Sequence, residues 1–306
     1  MIKKIIFLFL LILLTGCTPY SDINNLAIIN KIAIEKDNNY KIHIEILNSL
    51  DNNNIISIEG ETLEECMNNL NNKLQKRVYL THLETLIITD SLKKENYKEI
   101  INYFLNNETS RNSFFVIATD KINDKILNIK SEDLENLIKI SIETNGLVDK
   151  KTMDDVIKDI LNYSNSNIPF INSNTLEIEG YKTIYESNKK LTKEDSIAFN
   201  FFQNKIKNIN LLINNKSYKL ENCNTTFKVK NNDIYFNTVC NYENNTTDLN
   251  IITEYLTNIL NNYVLKNDNN YFYYLRNKYK KTNKKISVYT KIKIKEIERK
   301  KRDQFD

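Results

Sequence analysis

The chain has 306 residues, of which 27% are charged, and a formal net charge of +4. That balance argues against a dedicated nucleic-acid binder, and the two histidines, His43 and His82, are not in metal-ligand spacing with each other or with a cysteine. Asn, Lys, Ile and Tyr are abundant, yet apolar positions recur periodically throughout, so the composition reads as codon bias in a folded protein rather than as a low-complexity segment.

Lys3 and Lys4 precede an apolar run from Ile5 to Leu14, and Leu14-Thr15-Gly16-Cys17 closes it. A basic start, a short apolar core and small residues before a cysteine form a bacterial lipoprotein signal, cut just before an acylated Cys17. An uncleaved membrane helix needs roughly 20 apolar residues, about twice the length of this run. A diacylglyceryl group on Cys17 places at least two acyl chains in the bilayer, enough for stable anchoring. Removing residues 1–16 leaves 290 of the 306, enough for two or three domains outside the cytoplasm. No later segment is apolar enough to span a membrane.

Residues 17–24 read as a lipidated tether. Leu26 to Lys36 and Tyr40 to Leu47 alternate around Asp37-Asn38-Asn39 as a hairpin, with Tyr40, Ile42, Ile44 and Ile46 on its apolar face and His43 on the solvated one. Thr62 and Glu65 form a capping box for a helix bearing Leu63, Cys66, Met67, Leu70 and Leu74. A strand at Leu86 to Thr89, a helix through Tyr97, Ile100 and Phe104, and a strand at Phe114 to Thr119 complete an N-terminal α+β domain, 25–120. A middle domain, 121–204, contains a helix through Leu134 and Ile138 and another starting at Thr152 with Asp155 as its capping partner. A strand pair around Leu176 to Tyr185 follows, with Gly180 at a turn or bulge, and then a helix capped by Thr192.

The C-terminal α+β domain, 205–306, opens with a hairpin from Leu220 to Tyr242 about Asn231-Asn232. In the symmetric register Val229 faces Ile234, Phe227 faces Phe236, and Cys223 faces Cys240 at a non-hydrogen-bonded site. There the Cα atoms approach to about 4.5 Å, near the short end of disulfide geometry. An extracytoplasmic compartment permits the bond, and a reducing one leaves two buried thiols. A helix through Leu249 to Tyr263 precedes a strand from Ile286 to Ile294, with Tyr289, Lys291, Lys293 and Lys295 on its polar face. Arg299-Lys300-Lys301-Arg302 reads as a solvated terminus more readily than as a headgroup-binding run. With few prolines and glycines, the turns fall to Asn, Asp and Ser. The expected fold class is α+β, multidomain, with mostly antiparallel sheets.

No phosphate loop, nucleophile elbow or zinc-protease helix occurs. The paired acids Glu64/Glu65 and Asp154/Asp155 sit in first helical turns, where they complement the helix dipole. His82, just before a strand, is placed to bond a neighbouring loop. No catalytic residue, metal or cofactor is expected.

Taken in order, several segments resemble the Ger(x)C family, the lipoprotein C subunits of nutrient germinant receptors in spore-forming bacteria. Leu26-Ala27-Ile28-Ile29 follows the tether, Gly60-Glu61-Thr62-Leu63-Glu64-Glu65 resembles the family's helix start, and Tyr79-Leu80-Thr81-His82-Leu83 its histidine before a strand. Arg111 before Phe114-Phe115-Val116, Pro169-Phe170-Ile171 and Leu176 to Tyr181 continue the series. The tryptophan common after the family's lipidated cysteine is missing, the C-terminal third looks short, and the Cys223/Cys240 pair is not a family feature. The resemblance implies a non-catalytic subunit on the outer face of the spore inner membrane, beside integral-membrane A and B receptor subunits, with His82 and Arg111 as structural or interface positions. A solute-binding lipoprotein of a membrane importer is the alternative suggested by anchor and size, although no repeated βαβ series supports it.

Overall fold

The structure is a computed structural model that describes residues 25–47, 54–231, 233–243, 248–266, 271–272, 275 and 287–296. The signal segment with Cys17, the tether up to residue 24, Asn232, Ile286 and Arg299 to Arg302 lie outside the described residues.

Three antiparallel strands open the fold: β1 (Leu26–Lys36), β2 (Tyr40–Ile46) and β3 (Asn54–Gly60). Helix α1 (Leu63–Leu74) starts at Thr62, whose hydroxyl accepts the Glu65 N–H. β4 (Arg77–Tyr79) pairs with the start of β1, and β5 (Thr85–Thr89) with its middle, both in parallel. Helix α2 (Lys94–Asn106) crosses to β6 (Phe115–Thr119), also parallel to β5. Every residue of β5 and β6 is buried, as expected of parallel strands covered on both faces.

Three helices follow: α3 (Asp124–Asn128), α4 (Ser131–Ile140), which runs into a π turn at Ser141–Asn145, and α5 (Met153–Tyr163). Thr152 and Asp155 cap α5 reciprocally, each side chain accepting the other's backbone N–H. Burial pushes the Asp155 carboxyl up, but the Thr152 hydrogen bonds outweigh it and hold the group below its ordinary value.

The chain then returns to the same sheet. β7 (Asn165–Ile171) lies parallel to β6, β8 (Ile178–Tyr185) antiparallel to β7, and β9 (Lys189–Lys190) closes the edge. The strand order is β3-β2-β1-β5-β6-β7-β8-β9, with β4 beside β1. Pro169 is tolerated inside β7 because pairing with β6 begins only at Phe170. The strand pair expected around Leu176 to Tyr185 is instead the single strand β8, which starts at Ile178 and has a bulge where Phe170 faces Gly180 and Ile171 faces Ile178. Gly180 sits at φ +131°, and a Cβ there would lie 2.6 Å from the Ser196 hydroxyl.

The boundary expected at residue 120 therefore falls inside a continuous sheet. Its alternate side chains feed two cores. Ile88 and Val116 pack with Leu63, Leu70, Ile100 and Val156 of α1, α2 and α5. Ile87 and Ile117 join Leu134, Ile138 and Phe199 in a second core, which runs on into the C-terminal residues Ile209, Phe236 and Leu256. Central strands buried on both faces need a layer on each, and here the C-terminal third contributes to one of them.

Helix α6 (Lys193–Phe202), capped by the Thr192 hydroxyl, leads to a four-stranded sheet. Its strands are β10 (Ile209–Ile213), β11 (Lys216–Lys230), β12 (Asp233–Tyr242) and β13 (Val288–Glu296), in that order. Helix α7 (Leu249–Lys266) lies between β12 and β13, which are parallel, and turns Ile252, Leu256, Ile259, Leu260 and Tyr263 inward. Phe202 of α6 meets Phe236 of β12 at 4.7 Å and Tyr263 of α7 at 5.7 Å between ring centroids, while Phe199 of α6 meets Tyr181 of β8 at 5.4 Å, so α6 joins the two sheets through aromatic contact.

Candidate functional site

β5 and β6 run parallel, so the turn before Thr85 and the loop before Phe115 emerge at one end of the sheet. His82 lies in the first and Arg111 in the second, and both are exposed. Thr109 joins the two segments: its hydroxyl accepts the Leu80 N–H at 3.2 Å, and its carbonyl accepts the Thr81 hydroxyl at 2.9 Å. The chain also enters the fold here, since Leu26 to Ile28 pair with Arg77 to Tyr79 just before the His82 turn. His82 makes no hydrogen bond to the neighbouring loop among the described residues; its ring lies 6.3 Å from that of Tyr79. His82 and Arg111 thus share a surface, with no catalytic geometry around them.

His43 departs from the solvated position expected for it. It is only 8% exposed, its Nδ1 lies 2.8 Å from the Ser57 hydroxyl and its Nε2 3.1 Å from Glu35 Oε1. The chain Ser57–His43–Glu35 has the order of a nucleophile, base and acid, but it arises from sheet register alone. His43 pairs directly with Ala33 and Ser57, and Glu35 is two residues along β1 from Ala33. Cross-strand neighbours on one face stand about 5 Å apart, so any polar trio at these positions would meet. The nearest described depression is lined by Glu35, Asp37, Tyr40 and Glu59 and includes neither Ser57 nor His43. The trio satisfies the polar groups of a half-covered face.

Cys66 is a buried free cysteine whose thiol points at the Tyr40 carbonyl, 3.7 Å away. Burial, followed by the nearby Glu65 and Glu99 carboxylates, pushes it up to about 11, so at neutral pH it is neither a nucleophile nor a thiolate ligand. No group of three or more His, Cys, Asp or Glu side chains placed to hold a metal occurs among the described residues.

Cys223 and Cys240 form a disulfide with Cα atoms 4.1 Å apart. Both cysteines are buried on the inner face of the second sheet. The hairpin follows the expected register from Asn224–Val239 to Lys230–Asp233, and Asn231 takes φ +51° at the turn. Beyond Asn224 the ladder slips by one, with Glu221 opposite Asn241. Asn222 adopts φ +50° and its N–H is accepted by the Asn208 side chain at 3.2 Å, while the Cys223 N–H turns to the Lys207 carbonyl at 2.8 Å. A bulge with a left-handed first residue thus carries the cross-link. Sequence separation 17 gives about 3 kcal/mol of chain-entropy stabilisation. Urea unfolding with and without reductant should show that difference, and equal midpoints would remove the disulfide from the stability account.

Among the recesses large enough for small molecules, two lie between helices. One, of about 380 Å³, lies between α5, the β7–β8 edge and helices α6 and α7, with Tyr163, Phe199, Tyr263 and Tyr271 as aromatic walls and Asp159 and Asn167 on its polar side. The other, about 560 Å³, is a groove between α1 and α2 with Met67 and Tyr103 among its lining and asparagines along its length. No short motif announces either, because their linings come from segments far apart in the chain.

A family model described as "Spore germination protein N-terminal domain" matches residues 19–173. Its match begins two residues after Cys17 and ends just past β7. The curated protein "Spore germination protein KC" of Bacillus subtilis (strain 168) is 26% identical over 219 residues, which cover 63% of this chain and 52% of that protein. The chain thus spans about half the length of this relative. A solved structure described as "Crystal Structure of the GerBC protein" is 14% identical, with a TM-score of 0.46, over 87% of this chain and 96% of that one.

Proposed function

Because the chain belongs to the Ger(x)C family of spore germination proteins, we propose that it is the membrane-anchored lipoprotein subunit of a spore nutrient germinant receptor. The observation that carries this reading is the order of two features: a lipoprotein signal ending at Cys17, then a family match that starts at residue 19. No helix among the described residues is long and apolar enough to cross a membrane. In this reading the anchor is acylated Cys17, on the outer face of the spore inner membrane.

The subunit's role in this reading is non-catalytic. The inert Cys66 and the register-made Ser57–His43–Glu35 chain support that part, together with the exposed, unassisted His82. Tethering supplies the mechanism: acylation confines the domain to the membrane plane and raises its effective concentration beside the integral-membrane A and B subunits. His82 and Arg111 lie at the sheet end where β1 begins, and in this reading they are the first positions to examine for partner contact.

The test is affinity purification of the tagged protein from detergent-solubilised spore membranes, with Cys17→Ala as the control. Wild type should co-purify two polytopic subunits, and the variant should leave the membrane fraction. Recovery of an importer permease and ATPase, or of no membrane partner, overturns the reading.

A further inference from the structure

The outer face of the C-terminal sheet has a composition that its fold does not require. Tyr235 of β12 and Tyr289 of β13 are directly paired, and their rings stack at 4.9 Å with planes 13° apart, while 41% and 49% of their surfaces stay exposed. Lys228 pairs with Tyr235 from the other side, so one row across the face reads Lys228, Tyr235, Tyr289. Lys291, Lys293 and Lys295 continue down β13 beside Asn237, Val239 and Asn241.

All four lysines are exposed and none has an ion-pair partner among the described residues. The two acids on the same face are engaged elsewhere: Glu221 pairs with Lys219, and Asp233 accepts the Ser287 N–H at 3.2 Å. Strand rise and spacing put these lysines in a patch about 20 Å by 10 Å. Like charges so close repel one another.

Lysines on an edge strand commonly deter strand addition. That explains Lys291, Lys293 and Lys295, since β13 is the last strand of the sheet, but not Lys228 on the interior strand β11. Nor does it explain two stacked, half-exposed tyrosines, which cost apolar exposure without guarding an edge. Unpaired cations spread over a flat face, with amphipathic rings at one end, match a surface of distributed negative charge with an apolar layer beneath it.

We propose that this face docks on anionic phospholipid headgroups, the tyrosines seating at the interface and the lysines neutralising phosphates. The proposal rests on the lipid-anchor reading only for bringing a bilayer within reach. The experiment removes that anchor, so that the two can fail separately.

The chain from residue 18 onward keeps every described residue. Its binding to vesicles of phosphatidylglycerol and phosphatidylcholine, and of phosphatidylcholine alone, would be measured by co-sedimentation at low and high salt. Binding should require phosphatidylglycerol and weaken with salt. Because each basic residue contributes about 1 kcal/mol near an anionic surface, Lys291→Gln, Lys293→Gln and Lys295→Gln together should weaken it about a hundredfold. Tyr235→Ser with Tyr289→Ser should weaken it further, with circular dichroism unchanged in both variants. Four outcomes overturn the proposal: no preference for phosphatidylglycerol, undiminished binding of the lysine variant, loss of binding only on neutralising Arg299, Lys300, Lys301 and Arg302, or capture by polyglutamate without vesicle binding, which would assign the face to an acidic protein.

Discussion

Asn200→Leu should destabilise the protein by about 3–5 kcal/mol, since each buried polar group left without its partner costs about 1–3 kcal/mol. Asn200 is fully buried on α6. Its amide donates to the Gly146 carbonyl at 2.8 Å and the Leu147 carbonyl at 3.0 Å, and its oxygen accepts the Tyr181 hydroxyl at 2.9 Å. The Tyr181 oxygen in turn accepts the Asp149 N–H at 2.7 Å. One side chain thus ties α6 to β8 of the large sheet and to the segment leaving the π turn. Leucine keeps the volume and removes all three bonds. Gly146 itself is closely packed: it lies at φ +61°, and a Cβ there would be 2.7 Å from Ile209 and 2.8 Å from Ile206. Tyr181→Phe removes only two bonds of the network and should cost less. Urea midpoints for the three proteins check the order, and an Asn200→Leu midpoint within experimental error of wild type would show that the network is not what joins these elements.

What the sequence displayed locally, the structure largely repeats. Thr62, Thr152 and Thr192 cap the helices expected of them. The hairpin alternation placed Cys223 and Cys240 on one face. Asparagine takes over glycine's role in turns, as expected from four glycines: Asn112, Asn204, Asn214, Asn215, Asn222 and Asn231 all have positive φ.

What stayed hidden depended on distant pairing. Nothing near Phe115 to Thr119 signals that its parallel neighbour is Phe170-Ile171, three helices later, so the run of helices after residue 120 looked like the start of another domain. β3 and β10 are short and sit among asparagines, which masked their alternation. His43 looked solvated because its partners are on other strands, and Asn200 carried no motif because its partners lie 19 to 54 residues away. Of the candidate site, the Cys223/Cys240 pair was legible in the alternation of its hairpin. The 380 Å³ cleft and the Tyr235/Tyr289 face were not, since each needs elements brought together by the fold.

Lys31→Met should cost about 3–5 kcal/mol, the range for removing one partner of a buried ion pair. In the alternation of β1 it reads as an outward-facing residue, yet it is only 3% exposed. Its ammonium lies 2.7 Å from Glu45 Oε2 on β2 and donates to the Leu127 and Ile129 carbonyls, each at 2.7 Å. Those carbonyls stand at the C-terminal end of α3, where the helix dipole also favours a cation. Three acceptors converge on one charge, which is why a lysine is stable there and why a neutral side chain of similar length is not. Methionine fills the space but strands the Glu45 carboxylate and leaves two carbonyls unmet. Glu45→Leu added to Lys31→Met removes the stranded charge and should recover about 2 kcal/mol or more, because an apolar replacement of both partners is often close to neutral. A double-mutant cycle by urea unfolding measures the coupling directly. If the double variant is as unstable as Lys31→Met alone, the loss comes from the unmet carbonyls of α3 rather than from the ion pair, and Lys31 acts chiefly as a cap that fastens that helix to the sheet.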